Sequence, residues 1–157
     1  IAEQLEQRLH NEGFHVYRLD GDNLRFGLNR DLVFSDSDRR ENIRRIAEVS
    51  CLFNQAGLIV LVPVISPFHA DRQNAAEIIG ADRFFDVYVD APLEVCEERD
   101  VKGLYQKARA GEIAEFTGIS SPYEEPENPA LRLTTADQTV EESTEAVFKA
   151  IEARIRL

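Results

Sequence analysis

The chain has 157 residues, a formal net charge of −11 and 30% charged residues. That length suits one domain with a real core, residues 1–157 as a unit. The acidity argues against general binding to nucleic acid or to a membrane surface, and no apolar run approaches the ~18 residues of a membrane span or reads as a secretory leader. Cys51 and Cys96 are far apart and are expected to be small apolar residues in a reducing, cytoplasmic compartment, not a disulfide or metal pair.

Residues 1–11 carry apolar side chains at helical spacing (Ile1, Ala2, Leu5, Leu9), and Gly13 stands where a C-terminal cap belongs. The chain thus opens inside a helical pattern, which predicts further protein upstream of Ile1. His15-Val16-Tyr17 reads as a strand running to Leu19. Next, Arg18-Leu19-Asp20-Gly21-Asp22-Asn23-Leu24-Arg25 gathers two carboxylates, an amide and arginines around one glycine. Open α/β sheets bind ligands just past the carboxyl ends of their strands, but Asp, Gly and Asn are also ordinary turn residues. Both readings stand at this point.

Residues 26–38 form a loop with turn signals at Gly27, Asn29, Ser35 and Asp36. Ser37 or Asp38 is placed to cap a helix over 39–55, whose Ile43, Ile46, Ala47 and Leu52 keep the helical period until Gly57. Residues 58–65 are the strongest strand, apolar on both faces as a central parallel strand should be, although Pro63 is awkward there. Ser66-Pro67 closes it. A helix over 71–79 leads to Gly80, a strand over 84–89 ends at Asp90, and Pro92 opens a helix to about residue 99. Residues 100–130 hold Gly103, Gly111, Gly118, Pro122, Pro126 and Pro129, with one helical piece near 104–110. So long an excursion in a compact domain is a functional lid or a disordered segment. A brief strand at 131–134 precedes a last helix over 140–156.

Strands alternating with helices predict the α/β class, a parallel sheet covered by helices on both faces. Asp20–Arg25, Ser66 and the Asp90 region then end adjacent strands on one edge, and the arginine-bearing segment 34–45 folds over it. Of the 15 Arg, seven fall between Arg18 and Arg45, while the first of three Lys is Lys102. Arginine suits bidentate recognition of phosphate or sulfate, so the cluster suggests a small anionic ligand. The plainer reading, arginines paired with the many Glu of a helix face, is the better one for most of them. His10, His15 and His69 lack metal-ligand spacing, and no protein-held metal site is expected.

Five blocks carry a family resemblance: Asp20-Gly21-Asp22-Asn23-Leu24-Arg25; the run from Phe34 through Arg39, Asn42 and Arg45; Ile65-Ser66-Pro67; Lys102-Gly103-Leu104-Tyr105 with Lys107 to Gly111; and Phe116-Thr117-Gly118-Ile119. In this order the chain resembles adenylylsulfate kinases (APS kinases), over essentially its whole length. The resemblance implies a P-loop NTPase-like kinase fold and ATP-dependent phosphorylation, with magnesium, of the 3′-hydroxyl of adenosine 5′-phosphosulfate. The family's phosphate loop, Gly-x-x-Gly-x-Gly-Lys-[Ser/Thr], is absent from the 157 residues and is expected directly before Ile1, which makes the domain N-terminally incomplete.

By resemblance, Asp22 orients or deprotonates the acceptor hydroxyl, and Asp20 holds a metal's water shell. Arg25, Arg39 and Asn42 bind the phosphosulfate and nucleoside, beside Asn23 and Leu24. Phe34 and Phe116 stack on the adenine, although a lone Phe is core more often than a stacking plate. Ile65 and Ser66 line the acceptor pocket; Ser66, at a position where a phosphoserine form has been proposed in the family, is expected to position substrate without forming an obligatory covalent intermediate. Lys102, with Gly103 behind it, reaches the substrate when the lid closes. Arg40, Arg44 and Arg45 are expected as helix-surface charges. A homodimer is the expected assembly, and fusion to an ATP sulfurylase is compatible with the family. Two other readings remain open: a catalytically degenerate nucleotide-binding regulatory domain, and another small-molecule P-loop kinase that would not need Phe34 or Phe116.

Overall fold

The computed structural model describes residues 1–156. Helix α1 (Ala2–Asn11) ends one turn before Gly13, whose φ of +85° only glycine adopts without strain. Strand β1 (Val16–Arg18) pairs in parallel with β2 (Ile59–Leu61), Tyr17 opposite Val60. Between them lie α2 (Gly21–Phe26) and the long α3 (Asp36–Gln55). After β2 come α4 (His69–Ile79), β3 (Val87–Asp90), α5 (Leu93–Arg99), α6 (Leu104–Arg109), β4 (Leu131–Thr134) and α7 (Val140–Ile155). β3 pairs in parallel with β4, Val89 opposite Leu133.

Two apolar clusters flank the strands. Leu5 and Leu9 of α1, Val16 of β1, Leu133 of β4 and Val147, Phe148 and Ile151 of α7 form the larger one, and Ile59, Leu61 and Val87 pack against it. Both strand pairs therefore share one core with α1 and α7. Ile43 and Ala47 of α3 and Ala75 of α4 form the second, joined by Val64, Ile78, Ile79 and Phe84. The period-2 alternation of a strand lets β2 give Ile59 and Leu61 to one side while Val60 points to the other.

Several boundaries differ from the sequence expectation, each for a physical reason. The described strands form two parallel pairs, β1–β2 and β3–β4, with no ladder between them. The strand expected over 58–65 pairs only over Ile59–Leu61, because Pro63 has no N–H to continue a ladder. The strand expected over 84–89 begins at Val87, since Phe84 is spent packing on the second cluster. Helix α3 starts three residues early: Ser35, not Ser37 or Asp38, is the cap, accepting the Asp38 amide at 3.3 Å. Pro92 is the N-cap of α5, just outside the helix it was expected to open. Residues 100–130 are built around α6 and a bridge between Thr117 and Ser121.

Because β1 and β2 run in parallel, Asp20 and the chain leading to Ser66 leave the pair on the same edge. Asp90 leaves from the other pair.

Candidate active site

The polar stretch after β1 folds into α2, a six-residue helix too short and polar to show a hydrophobic period. Asp20 is its N-cap: Oδ1 accepts the amides of Asp22 at 3.0 Å and Asn23 at 3.3 Å. Its Oδ2 lies 3.8 Å from Arg18. A side-chain oxygen on the first free amides of a helix is the usual N-cap. Asp20 thus fulfils the turn reading of the sequence, and one of its two oxygens is committed to the backbone.

Asp22, two residues further, has its side chain 68% exposed. Lys102, 80 residues on, donates to Asp22 Oδ2 at 2.7 Å. The bond to Asp22 raises the lysine's pKa above its ordinary value. Asp22 and Lys102, expected separately at the acceptor hydroxyl and at the substrate, are therefore in contact with each other. Gly103 behind the lysine has φ +65°, and nothing lies within 4 Å of where a Cβ would stand, so this glycine is required by conformation and not by crowding.

Arg25, at the end of α2, donates to the carbonyls of Leu32 at 3.3 Å and Val33 at 3.0 Å. Its guanidinium lies 4.3 Å over the Phe34 ring, and that of Arg39 lies 5.7 Å from the same ring. Burial first, and then the charge of Arg39, pull the Arg25 pKa below its ordinary value. Two cations pressed together in this way are relieved by an anion placed between them.

Arg39 itself is buried. Nε donates to Phe34 O at 2.8 Å, Nη1 to Thr117 Oγ1 at 3.1 Å and Nη2 to Glu115 O at 2.6 Å. The sequence marked Arg39 as a phosphosulfate ligand. The structure commits three of its five N–H groups, two to the lid and one to the Phe34 carbonyl just before α3, and leaves two uncommitted. Arg39 also draws the two expected adenine plates to one place, bonding Phe34 with one nitrogen and the neighbour of Phe116 with another. Phe34 is 56% exposed, while Phe116 meets Tyr105 edge-on at 5.0 Å.

Asn42 is buried and accepts a hydrogen bond from Asn29 at 2.9 Å, while Asn29, wholly buried, keeps its own Oδ1 without a partner. The amide expected to read the nucleoside therefore also pins the 27–33 loop to α3. Asn23 is exposed and Leu24 half-buried on α2. Ile65 is 55% exposed, and Ser66 beside it has the left-handed φ of +40°. Arg44 pairs with Glu41 and Glu48, and Arg45 with Asp31 and Glu41, the helix-surface role expected of them. Arg40 is exposed on the helix as expected, and it reaches from there to the buried Asp71 at 3.4 Å.

Thr117 and Asn29 carry no signal as isolated letters; each becomes visible only through its partner, Arg39 or Asn42. Tyr105 and Thr117 do sit within the motif blocks, and that is the one sequence clue to them.

Parallel strand pairs flanked by helices are the architecture of the α/β class, and beyond one strand end stand a carboxylate–lysine pair and two crowded arginines. A family profile, Adenylylsulphate kinase, matches residues 1–134. The chain belongs to the adenylylsulfate kinase family. It is 53% identical over 154 residues to an adenylyl-sulfate kinase of Marinobacter nauticus, covering 98% of this chain and 77% of that protein. It is 56% identical over 153 residues to the bifunctional enzyme NodQ of Rhizobium sp., there spanning 24% of the longer protein. The structure of the Mycobacterium tuberculosis APS kinase CysC in complex with AMPPNP and APS matches it with a TM-score of 0.92 at 51% identity, over 96% of this chain and 88% of that one.

Proposed function

We propose that this chain binds adenosine 5′-phosphosulfate and presents its 3′-hydroxyl for phosphorylation by ATP, giving 3′-phosphoadenosine 5′-phosphosulfate. The observation that carries the reading is the 2.7 Å contact between Lys102 of the lid and Asp22 at the strand end. Phosphoryl transfer asks a protein for positioning and charge neutralisation more than for covalent chemistry. Asp22 accepts the proton of the ribose hydroxyl, or orients it, once substrate enters beside the carboxylate. Lys102, released from that carboxylate, turns to the charge on the transferring group. Arg25 and the two unspent N–H groups of Arg39 meet the phosphosulfate, and the exposed face of Phe34 receives the adenine. Ile65 and Ser66 line the pocket, and the lid closing over them excludes water from the transfer.

ATP supplies the phosphoryl group in this reading, and magnesium arrives with it, held by its phosphates and by water. Asp20 Oδ2 and the Asp22 carboxylate have the hard oxygen chemistry that such a water shell accepts. Cytoplasmic location and a homodimer belong to the same proposal and rest on the family.

The test is calorimetric titration of the chain with adenosine 5′-phosphosulfate, with and without ADP and magnesium. Saturable one-site binding is the expected result; no heat beyond dilution would sink the reading. A second reading is binding without turnover, which would need no Gly-x-x-Gly-x-Gly-Lys-[Ser/Thr] phosphate loop. A fusion that supplies such a loop and its strand ahead of Ile1 separates the two. ADP release dependent on the acceptor is expected from it, and binding with no release would establish the regulatory alternative.

A further inference from the structure

Among the described residues, two non-glycine residues have positive φ, Ser66 at +40° and Glu115 at +53°. A left-handed non-glycine residue costs about 1–3 kcal/mol and persists only where its surroundings over-determine it. In both places the carbonyl of the strained residue is held by an arginine. Arg39 holds Glu115 O at 2.6 Å, and Arg72 Nη1 donates to Ser66 O at 2.8 Å. Arg39 was visible in the motif blocks; Arg72, on α4, was not.

The second arm of Arg72 points elsewhere. Nη2 donates to the carbonyl of Glu124 at 2.7 Å, where the lid returns to the body. Glu124 answers in kind: its amide donates to Pro67 O at 2.9 Å, and its carboxylate accepts the amide of His69 at the start of α4. Phe68, the N-cap of α4, offers no side-chain cap, so Glu124 supplies one from the lid. Tyr123 continues the attachment, with Arg72 6.0 Å over its ring and Tyr88 of β3 stacked on it at 6.1 Å. The two ends of the lid are therefore unlike. Its entrance is a glycine and an exposed lysine; its exit is laced to the loop that carries Ser66.

We propose that Arg72 is a positioning residue for the acceptor site: one guanidinium holds Ser66 in its left-handed conformation and ties the lid's exit to the same loop. The inference rests on the acceptor reading above and deepens it, because it assigns the shape of the Ile65–Ser66 wall to a side chain beneath that wall. Without Arg72, Ser66 relaxes toward negative φ, the wall shifts and the lid's exit loosens.

Calorimetric titration with adenosine 5′-phosphosulfate and amide hydrogen exchange, both on the 157-residue chain, test this. Arg72→Ala is expected to weaken binding about 5- to 100-fold, the range that releasing 1–3 kcal/mol of held strain allows. Glycine adopts positive φ freely. In a Ser66→Gly background the same Arg72→Ala change is therefore expected to cost much less, a non-additivity that a merely stabilising arginine would not show. Equal losses in both backgrounds, or no loss, overturn the proposal. Arg72→Lys, which keeps the charge but cannot bridge two carbonyls, is expected to fall between wild type and Arg72→Ala, and it serves if the alanine variant does not fold; wild-type affinity in it overturns the proposal. Exchange needs no ligand: the His69 and Glu124 amides are expected to exchange faster in either variant, and unchanged rates overturn the lacing. A wild type that does not bind, with exchange altered as expected, sinks the acceptor reading and not the lacing.

Discussion

The side of the molecule built on α1 and α7 and the side built on α2 and the lid are held together by different forces. Around α1 and α7, Leu9, Leu133 and Phe148 are 0%, 1% and 2% exposed, and apolar burial does most of the holding. Around α2 and the lid, Phe26, Phe34 and Val101 stand 84%, 56% and 97% exposed. What joins the elements there is a handful of directional bonds from Arg25, Arg39, Arg72 and Lys102. The contrast teaches where stability and function separate. Burial fixes a surface that no ligand needs to disturb, whereas hydrogen bonds between arginines and carbonyls can be exchanged for bonds to an anion at small net cost.

That separation can be broken most sharply at Asp22. In the fusion carrying a phosphate loop, Asp22→Asn is expected to lower acceptor-dependent ADP release on the order of 10²–10⁴-fold. The urea midpoint should stay within about 0.5 kcal/mol of wild type, since the side chain is exposed. A loss of turnover below tenfold would move the proton-accepting role to another group. On the opposite side, Phe148→Ala should cost about 3–5 kcal/mol in urea denaturation, with the acceptor affinity of the folded protein unchanged. Were affinity to fall with stability, the two sides would not be independent.

Arg39→Ala lies on the boundary between them, because the residue is buried and, in the proposed function, also meets the phosphosulfate. Acceptor binding is expected to weaken roughly 10- to 100-fold, the worth of one or two charge-assisted bonds. Limited proteolysis near Glu115 and Thr117 should accelerate with it; unchanged cleavage would mean that Arg39 does not fasten the lid. Thr139→Ala removes the capping box of α7, in which the threonine accepts the Glu142 amide at 3.1 Å and Glu142 returns a bond to the Thr139 amide. The cost should be about 1 kcal/mol, read as a lower urea midpoint with titration heats unaltered.

The smallest effect is one of pH. Burial first, and then the charges of Asp90 and Glu125, push the Tyr88 phenol up to about 12 from an ordinary 10.0. A raised folded pKa means a contribution fully present below about pH 10 and lost as pH climbs through about 12. Ultraviolet titration of the phenolate checks it, and a full set of tyrosines ionising at the ordinary value would show Tyr88 to be wet.

Much of the fold was legible where the pattern is local. Leu5 and Leu9 announced α1, and Ile43, Ile46 and Ala47 announced α3, because a buried helical face repeats at its own period. α2 was not legible: it buries no residue and is set by one cap, Asp20. The early end of β2 was half legible, since Pro63 was noticed but its effect on pairing was not. At the site, Asp22 and Lys102 were picked out separately and the structure joins them. Asn29 and Arg72 were passed over, because a single amide or arginine on a polar stretch looks the same whether it faces solvent or a buried carbonyl.

The sequence alone determined the kinds of elements other than α2, their order and the family to which the chain belongs, since those follow from residue spacing along the chain. Only the tertiary structure decided which arginines are free to meet an anion and which are clasps. A guanidinium's role is set by the acceptors around it. For Arg39 and Lys102, and for the arm of Arg72 that reaches Glu124, the partners lie between 52 and 80 residues away, a distance over which spacing along the chain carries no information.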